Sequence, residues 1–196
     1  MANSLQLATD FLLFEVAQTT DPAAREALHN AAARLLTVGQ LHRFLSGHDE
    51  TERIAFAPFL AHLSGLIAGS TGLRCTVDAD EVWLPGDVAQ QLAIIINELA
   101  MNAAKHGYRP GWPGTMHFKA RREGDRLCLS VGDLGDGLSP SFGIGPSQGL
   151  GMSIVEAIVR QLRATLEATN DHGAVFTITV PLSRAAPRIS RSFDPR

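Results

Sequence analysis

The sequence predicts an α+β protein in which an antiparallel helical hairpin precedes a two-layer α/β sandwich. Two long N-terminal segments show apolar residues at helical spacing, and the short stretch TTDP separates them. Further along, helical segments alternate with strand-like runs, most of which are joined by short turns. Helices packed on one face of such a sheet form two layers around one core.

Composition limits the class of protein. The 196 residues, of which 45% are hydrophobic, suffice for one domain with a small helical attachment. The net charge of -3 gives no indication of nucleic-acid binding. The apolar runs are too short for a membrane span, and no signal peptide is evident, so we expect a cytoplasmic protein. Cys75 and Cys128 lack metal-ligand spacing, which favours reduced, structural cysteines.

The first unit, residues 1–50, is predicted to be the hairpin. Its first helix spans about 3–19 and its second about 22–45, with Asp21 as N-cap and Pro22 at the first helical position. Two helices alone cannot enclose the apolar faces that these segments present. We therefore expect a homodimer in which two hairpins form a four-helix bundle. The apolar stripes comprise Leu5, Leu12 and Val16, then Leu28, Leu35 and His42, with Ala24, Ala31, Val38 and Leu45 beside them.

The second unit, residues 51–183, carries the sandwich, and the boundary before it falls in the charged stretch SGHDETER. We predict helices over 58–68, 87–106 and 151–162. Strands are predicted over 73–78 and near 81–84, in a hairpin over 115–133, and in a final pair within 164–182. The Arg-containing tail, residues 184–196, is expected to be flexible.

The predicted helix over 87–106 carries an unusual polar stripe in the segment NELAMNAAKHG. At about 100° per residue, Glu98, Asn102 and Lys105 fall within roughly 60° of one another around the axis. By itself, this stripe is more typical of an exposed helix face with an ordinary contact between Glu98 and Asn102. His106 follows, and such a helix-terminal histidine often interacts with last-turn carbonyl groups.

Glycine pairs follow in the segment VGDLGDGLSPSFGIGPSQGLGMSIV. Asp133 ends a predicted strand, and Gly135 and Gly137 permit positive φ angles and a close backbone approach. A second pair, Gly149 and Gly151, opens a helix whose free N–H groups favour anions. Each motif alone is common in ordinary turns and caps, but here a carboxylate, glycines and a helix start suited to phosphate lie in one stretch.

In this order the motifs resemble the N, G1 and G2 boxes of the GHKL ATPase superfamily. The helical segment DPAAREAL, the later LHRFL and the compact lid resemble the HWE-type and related histidine kinases in particular. The resemblance covers most of the chain, and the spacings of the Walker and Rossmann motifs are absent. It implies a sandwich of the GHKL (Bergerat) type, with ATP and Mg²⁺ as cofactors.

The resemblance also implies a role for each box residue. Asp133 would accept the adenine amino group, while Asn102 would hold Mg²⁺ and Lys105 would lie near the phosphates. Glu98 matches a carboxylate that activates a nucleophile in hydrolysing relatives, so it is a tentative catalytic residue. The further ATP-binding positions are His106, Gly135, Gly137, Gly149, Leu150 and Gly151.

The lid, Leu138 to Gln148, departs from the family pattern because it contains no Lys or Arg. We expect weaker contact with the γ-phosphate and slow catalysis; the alternative is a loop without special chemistry. The acceptor box is also incomplete, because ANSLQLA starts inside it and the phosphate-accepting histidine would fall just before Met1. Either the sequence starts late, or the natural chain lacks this acceptor. His42 is a weak substitute, since a packed histidine explains its place better.

Two functions are consistent with these residues. One is the core of an ATP-dependent protein-histidine kinase, which passes its phosphate to the Asp of a response-regulator receiver domain. The other is a non-catalytic, kinase-like adaptor that binds ATP or a response regulator. An anti-sigma-type serine kinase is disfavoured by the N-terminal hairpin. We expect neither a nucleic-acid partner nor a membrane segment.

Overall fold

A computed structural model describes residues 2–45, 53–109, 114–144 and 149–182. The chain begins with a helical hairpin, α1 (Ala2–Gln18) and α2 (Pro22–Leu45). Asp21 caps α2 as predicted, because its Oδ1 accepts the Ala23 N–H at 3.1 Å and its carbonyl oxygen accepts the Arg25 N–H at 2.9 Å. Pro22 occupies the first helical position, which needs no N–H donor.

Helix α1 is apolar on two opposite faces. The face that includes Leu12 and Val16 is partly buried, and Thr9 on the same face is buried. On the other side, Leu7, Phe11 and Phe14 are 64%, 61% and 60% exposed. The spacing of these three residues places them on one stripe. The sequence pattern predicted the packed face of α1 and missed this outer one.

The hairpin also rests on the second unit. Helix α2 packs against α3 (Phe56–Thr71) and α4 (Gly86–Asn102), and Ala32 of α2 is fully buried. Part of the apolar face of α2 is therefore covered within the same chain. Residues 46–52, where the predicted boundary between the units falls, lie outside the described residues, as does the tail 184–196.

The strands form two sheets. A short antiparallel ribbon joins β1 (Arg53–Ala55) to β3 (Trp83–Pro85). The main sheet has the order β2-β4-β5-β7-β6, in which β2 pairs with β4 in parallel and the other neighbours are antiparallel. Its members are β2 (Arg74–Ala79), β4 (Thr115–Glu123), β5 (Arg126–Asp133), β6 (Thr165–Asn170) and β7 (Ala174–Pro181).

The core lies between this sheet and the helices α3, α4 and α5 (Leu150–Gln161). Buried and less buried residues alternate along β7, as expected for a sheet covered on one face. Phe118, Leu129 and Ile178 from the three central strands are fully buried. The predicted fold class, a helical hairpin followed by a two-layer α/β sandwich, is thus confirmed.

Three element predictions need correction. Helix α3 begins at Phe56, before Pro58, because a proline is tolerated in the first turn of a helix. Strand β1 was not predicted, since three residues are too short to show alternation. The predicted helix over 87–106 is α-helical only to Asn102 and continues as a π-helical turn over Ala103–Gly107. Among the described residues, no helix has the length and apolar character needed to cross a bilayer.

Candidate functional site

A cavity of about 370 Å³ opens where the end of α4 and the π-helical turn meet one end of the central strands β4, β5 and β7. This volume lies in the range of small-molecule sites. Its polar residues are Asn102, His106, Asp133 and Ser139. The rest of the wall is mainly apolar and includes Leu99, Met116, Val131, Phe142, Met152 and Phe176.

Asp133 is the buried carboxylate of this cavity, with 7% of its surface exposed. Its Oδ1 accepts the Gly135 N–H at 2.8 Å and the Ala174 N–H at 3.2 Å. Both backbone donors therefore hold the same oxygen, and the carboxylate is oriented before any ligand arrives. Oδ2 is the oxygen left to accept a hydrogen bond from a ligand.

The glycines around Asp133 are required by contacts within the protein. A Cβ on Gly135 would lie 1.9 Å from the carbonyl oxygen of Gly107, and one on Gly173 would lie 2.1 Å from that of Asp133. Gly137 has a φ of 77°, and its Cβ would meet Asn170 Oδ1 at 2.8 Å. The sequence attributes Gly135 and Gly137 to the approach of a ligand, and that role stays a prediction. In the structure, other parts of the chain also pass directly over both glycines.

The predicted polar stripe does not lie on the surface as a unit. Glu98 is 1% exposed, Asn102 is partly buried and lines the cavity, and Lys105 is exposed and away from the cavity lining. His106 lies at the cavity rim. A π-helical turn has more residues per turn than an α-helix, so the angles expected for an α-helix fail beyond Asn102.

The second glycine pair opens α5. Gly149 has a φ of 90° and precedes the helix, Leu150 is exposed as its first residue, and Gly151 is buried. Its N-cap is a glycine, and no side-chain cap is observed among the described residues. Met152, in the first turn, lines the cavity, so the uncapped N–H groups lie close to its edge.

The first part of the lid closes one side of the cavity. Leu138 and Phe142 line it, and the Phe142 ring packs edge-on against Phe176 with centroids 5.9 Å apart. Asn170 hydrogen-bonds to the backbone of Leu138. Sequence reasoning missed Phe142, Phe176 and Asn170, because nothing in the pattern shows that the end of the last hairpin reaches the lid. Residues 145–148 of the predicted lid lie outside the described residues.

Tyr108 was also missed, although it follows the N box directly. Its hydroxyl donates to the Thr115 carbonyl and accepts the N–H groups of Thr115 and Leu134, each at 3.0 Å. Burial raises the pKa of Tyr108. The side chain thereby joins the end of the π-helical turn to the start of β4 and to the loop after Asp133.

Among the described side chains, those of His117, Cys75 and Cys128 do not line this cavity. His42 belongs to α2, and its side chain is outside the described part of the chain. The Nδ1 atom of His117 lies 2.6 Å from Thr76 Oγ1 across two neighbouring strands. Cys75 and Cys128 are free thiols, and burial raises the pKa of both.

Comparison with known proteins was consistent with the geometry. The sensor histidine kinase PdtaS of Mycobacterium tuberculosis is 27% identical over 93% of this chain. The blue-light-activated histidine kinase 2 of Erythrobacter litoralis is 30% identical over 60% of it. The chain spans 38% and 35% of the lengths of these two relatives. The solved histidine kinase domain of an Erythrobacter litoralis blue-light-activated kinase matches with a TM-score of 0.67 and 21% identity, covering 92% of this chain and 95% of that domain.

A sandwich whose cavity lies between an N-box helix and two glycine-rich loops defines the GHKL class of ATPase domains. The chain belongs to the family of histidine kinase-, DNA gyrase B- and HSP90-like ATPases, whose model matches residues 87–184. A second model, described as histidine kinase, matches residues 1–71. The resemblance inferred from the sequence motifs is therefore confirmed, and within this family the relatives are histidine kinases.

Proposed function

We propose that this chain is the core of an ATP-dependent protein-histidine kinase in a cytoplasmic two-component signalling system. The observation that carries the proposal is Asp133, a buried carboxylate fixed by two backbone N–H groups inside an apolar cavity. Family membership supports ATP as the nucleotide.

The cavity suits an adenine ring. Phe142, Phe176 and Met152 offer apolar surface to a flat base, and Asp133 Oδ2 is available to accept a hydrogen bond from the 6-amino group. Guanine presents a carbonyl oxygen at the same position. Two acceptors would then face each other without a hydrogen, so the site is expected to reject guanine nucleotides.

The phosphates would extend from the base towards Asn102 and the start of α5. Asn102 supplies one side-chain oxygen for Mg²⁺, and Mg²⁺ commonly takes few protein ligands with phosphate oxygens and water as the others. The described residues contain no cluster of three His, Cys, Asp or Glu side chains that could hold a metal alone. Mg²⁺ would thus enter with the nucleotide and neutralise phosphate charge. Uncapped N–H groups at Leu150 and Gly151 favour the anion.

The reaction would transfer the γ-phosphate to a histidine nitrogen and then to a receiver-domain Asp. Such transfer depends mainly on positioning and charge neutralisation. Glu98 lies one turn before Asn102 and stays a tentative catalytic residue. Lys105 is exposed, so we assign it a contact with phosphate only once nucleotide is bound. His42 is a weak acceptor candidate, since none of the seven histidines matches the acceptor position of the family box.

Dimerisation is part of the proposal. Leu7, Phe11 and Phe14 form an exposed apolar stripe on α1, and burying it against a second copy would complete a four-helix bundle. The alternative function is a kinase-like adaptor that binds nucleotide or a response regulator without transferring phosphate. The absence of Lys and Arg between Leu138 and Gln148 favours that alternative.

Isothermal titration calorimetry tests the nucleotide site in both versions of the proposal. We expect Mg-ATP and Mg-ADP to bind and Mg-GTP to bind at least about tenfold more weakly, because the carboxylate cannot pair with the guanine carbonyl. If the unmutated chain binds none of the three, both the kinase and the ATP-binding adaptor are excluded. Equal binding of ATP and GTP would exclude Asp133 as the base-reading residue.

A further inference from the structure

The start of the lid is held by a side chain at the end of the edge strand β6. We call Leu138–Phe142 the lid base. The Leu138 N–H donates to Asn170 Oδ1 at 2.7 Å, and Asn170 Nδ2 donates to the Leu138 carbonyl oxygen at 2.9 Å. A carboxamide offers an acceptor and a donor side by side. Asn170 therefore pairs with one residue of backbone as a neighbouring strand would.

Two further contacts fix the lid base at the same place. Gly137 lies directly against Asn170, since a Cβ there would be 2.8 Å from Oδ1. At the other end, Phe142 packs edge-on against Phe176 of β7. Between these anchors, Leu138, Ser139 and Phe142 line the cavity. The lid base is thus a wall of the cavity with a contact at each end.

The hairpin that holds the lid base also holds the carboxylate. Asn170 is paired directly with Ala174 across the β6–β7 hairpin, and the Ala174 N–H donates to Asp133 Oδ1. Phe176 lies two residues further along β7. One short hairpin end therefore sets the distance between the cavity wall and the carboxylate that we assign to the adenine amino group.

We propose that Asn170 is a positioning residue that holds the lid base against the base-binding cavity and so sets the affinity for the adenine ring. This inference rests on the proposed nucleotide site. Lys or Arg in a lid can be drawn towards phosphate, whereas this lid has neither. The wall is instead kept in place by the amide pair before ligand binds. Apparent affinity scales with the fraction of molecules in the binding-competent state, so loosening the wall weakens binding.

Amide hydrogen exchange followed by NMR tests the two hydrogen bonds between Asn170 and Leu138 without any nucleotide. In Asn170→Ala, the Leu138 N–H loses its acceptor, and we expect its exchange to accelerate about tenfold or more while β7 amides keep their rates. The matched control is Thr169→Ala, an exposed neighbour on the same strand. If the exchange rate of the Leu138 amide is unchanged in Asn170→Ala, then Asn170 does not hold the lid base.

Calorimetry with adenosine and with Mg-ATP tests the consequence for binding. We expect Asn170→Ala to weaken both ligands by the same factor of about ten, because in the proposed pose the lid base would contact the base and not the phosphates. Thr169→Ala should leave both affinities unchanged. A loss confined to ATP, or no loss, would overturn the positioning role. Absence of binding by the unmutated chain would instead refute the proposed nucleotide site. The hydrogen-exchange experiment would still show whether Asn170 holds the lid base.

Asn170→Asp provides the most specific test. An ionised carboxylate has no hydrogen for the Leu138 carbonyl, whereas a protonated one offers an acceptor and a donor as the carboxamide does. The ratio of variant to wild-type adenosine affinity should therefore rise as the pH falls from about 7 towards about 4, where an Asp with an ordinary pKa of about 3.9 gains its proton. Asp171, His172 and Asp133 lie near this position in both proteins, so the wild-type chain is measured as the reference at each pH. A ratio independent of pH would contradict the hydrogen-bonding role.

Discussion

At the scale of single residues, Asp133 combines burial with a fixed orientation. Asp133→Asn keeps an acceptor for the two backbone donors but can direct an amino group at the adenine amino group. We expect ATP affinity to fall about tenfold to a hundredfold, the usual cost of a lost charged hydrogen bond. Discrimination against GTP should shrink in the same variant, because an amino group can pair with the guanine carbonyl. Calorimetry with both nucleotides measures the two effects.

Asn102 has a different expected signature, since its proposed role is to hold the metal. Asn102→Ala should weaken ATP binding about tenfold when Mg²⁺ is present and have little effect when EDTA removes it. Asp133→Asn should weaken binding under both conditions. If Asn102→Ala has the same effect with and without Mg²⁺, then Asn102 contacts the nucleotide directly and the metal assignment is wrong.

Tyr108 is the only tyrosine in the chain, so its titration can be followed directly by absorbance. Burial raises its pKa, and folding therefore favours the neutral phenol. The contribution to stability should be complete below the unfolded pKa of about 10 and lost as the pH rises through the higher folded value. We expect the phenol to titrate above its ordinary pKa in the native protein and at that value in urea.

Tyr108→Phe keeps the ring and removes the hydroxyl. The Thr115 N–H then loses its acceptor, and the free energy of unfolding should fall by about 1–3 kcal/mol at pH 7. Urea unfolding measures this change. An unaltered unfolding midpoint would show that water replaces the hydroxyl without cost. The destabilisation should diminish above pH 10, where the wild-type phenol also loses its hydrogen.

How much of the site the sequence predicted depends on the range of each contact. Asp133, Gly137 and Asn102 were predicted because spacing along a loop or one helix is legible in the sequence. Asn170 was not, since its partner Leu138 lies 32 residues earlier and neither residue belongs to a motif that names the other. The close contact between Gly135 and the Gly107 carbonyl could not be predicted either, because the two residues meet only after the sheet and the helix pack together.

At the scale of elements, periodicity predicted the helices and the hairpin strands well. It failed at β1, whose three residues pair with β3 through an antiparallel register that sequence cannot show. It also failed at the end of α4, where Ala103–Gly107 form a π-helical turn. That turn leaves Lys105 exposed while His106 lies at the cavity rim, so two adjacent residues of one motif occupy different environments.

The outer stripe of α1 gives the element-scale prediction. We expect Phe11→Glu combined with Phe14→Glu to convert a dimer to a monomer, because two charges would enter an apolar interface. Light scattering at micromolar concentration measures the mass. The control, Ala23→Glu with Ala27→Glu, adds the same charge to exposed positions on α2 and should leave the dimer intact. A monomeric wild-type chain would contradict the proposed assembly. Because α2 packs on α3 and α4, point variants are preferable to deleting the hairpin.

At the scale of the whole molecule, the kinase and adaptor functions differ in one measurable outcome. We expect the 196-residue chain to bind ATP without incorporating stoichiometric phosphate, because no histidine matches the acceptor position and in-line transfer needs a correctly placed nitrogen. Incubation with γ-labelled ATP, followed by acid and base treatment, detects acid-labile phosphohistidine.

His42→Ala is the control for that experiment. Stoichiometric acid-labile label that disappears in this variant would make His42 the acceptor and overturn the expectation. Label that persists in the variant would place the acceptor at another residue. Adding a peptide that carries the complete, histidine-containing acceptor box of the family supplies a nucleophile in trans, and labelling of that peptide would support a working kinase core over an adaptor.

The hydrogen bond from Ala174 to Asp133 also determines when the cavity can form during synthesis of the chain. The two residues are 41 positions apart, and a ribosome makes the N box, the carboxylate and α5 before it reaches the final hairpin. Until that hairpin pairs with β5, Asp133 has only the local N–H of Gly135, and the lid base has no Asn170 to hold it. A nascent chain released before residue 174 would bury much of its core yet lack a formed cavity. Nucleotide would therefore bind only after β7 has paired with β5, so ATP would stabilise only chains whose synthesis and folding are complete.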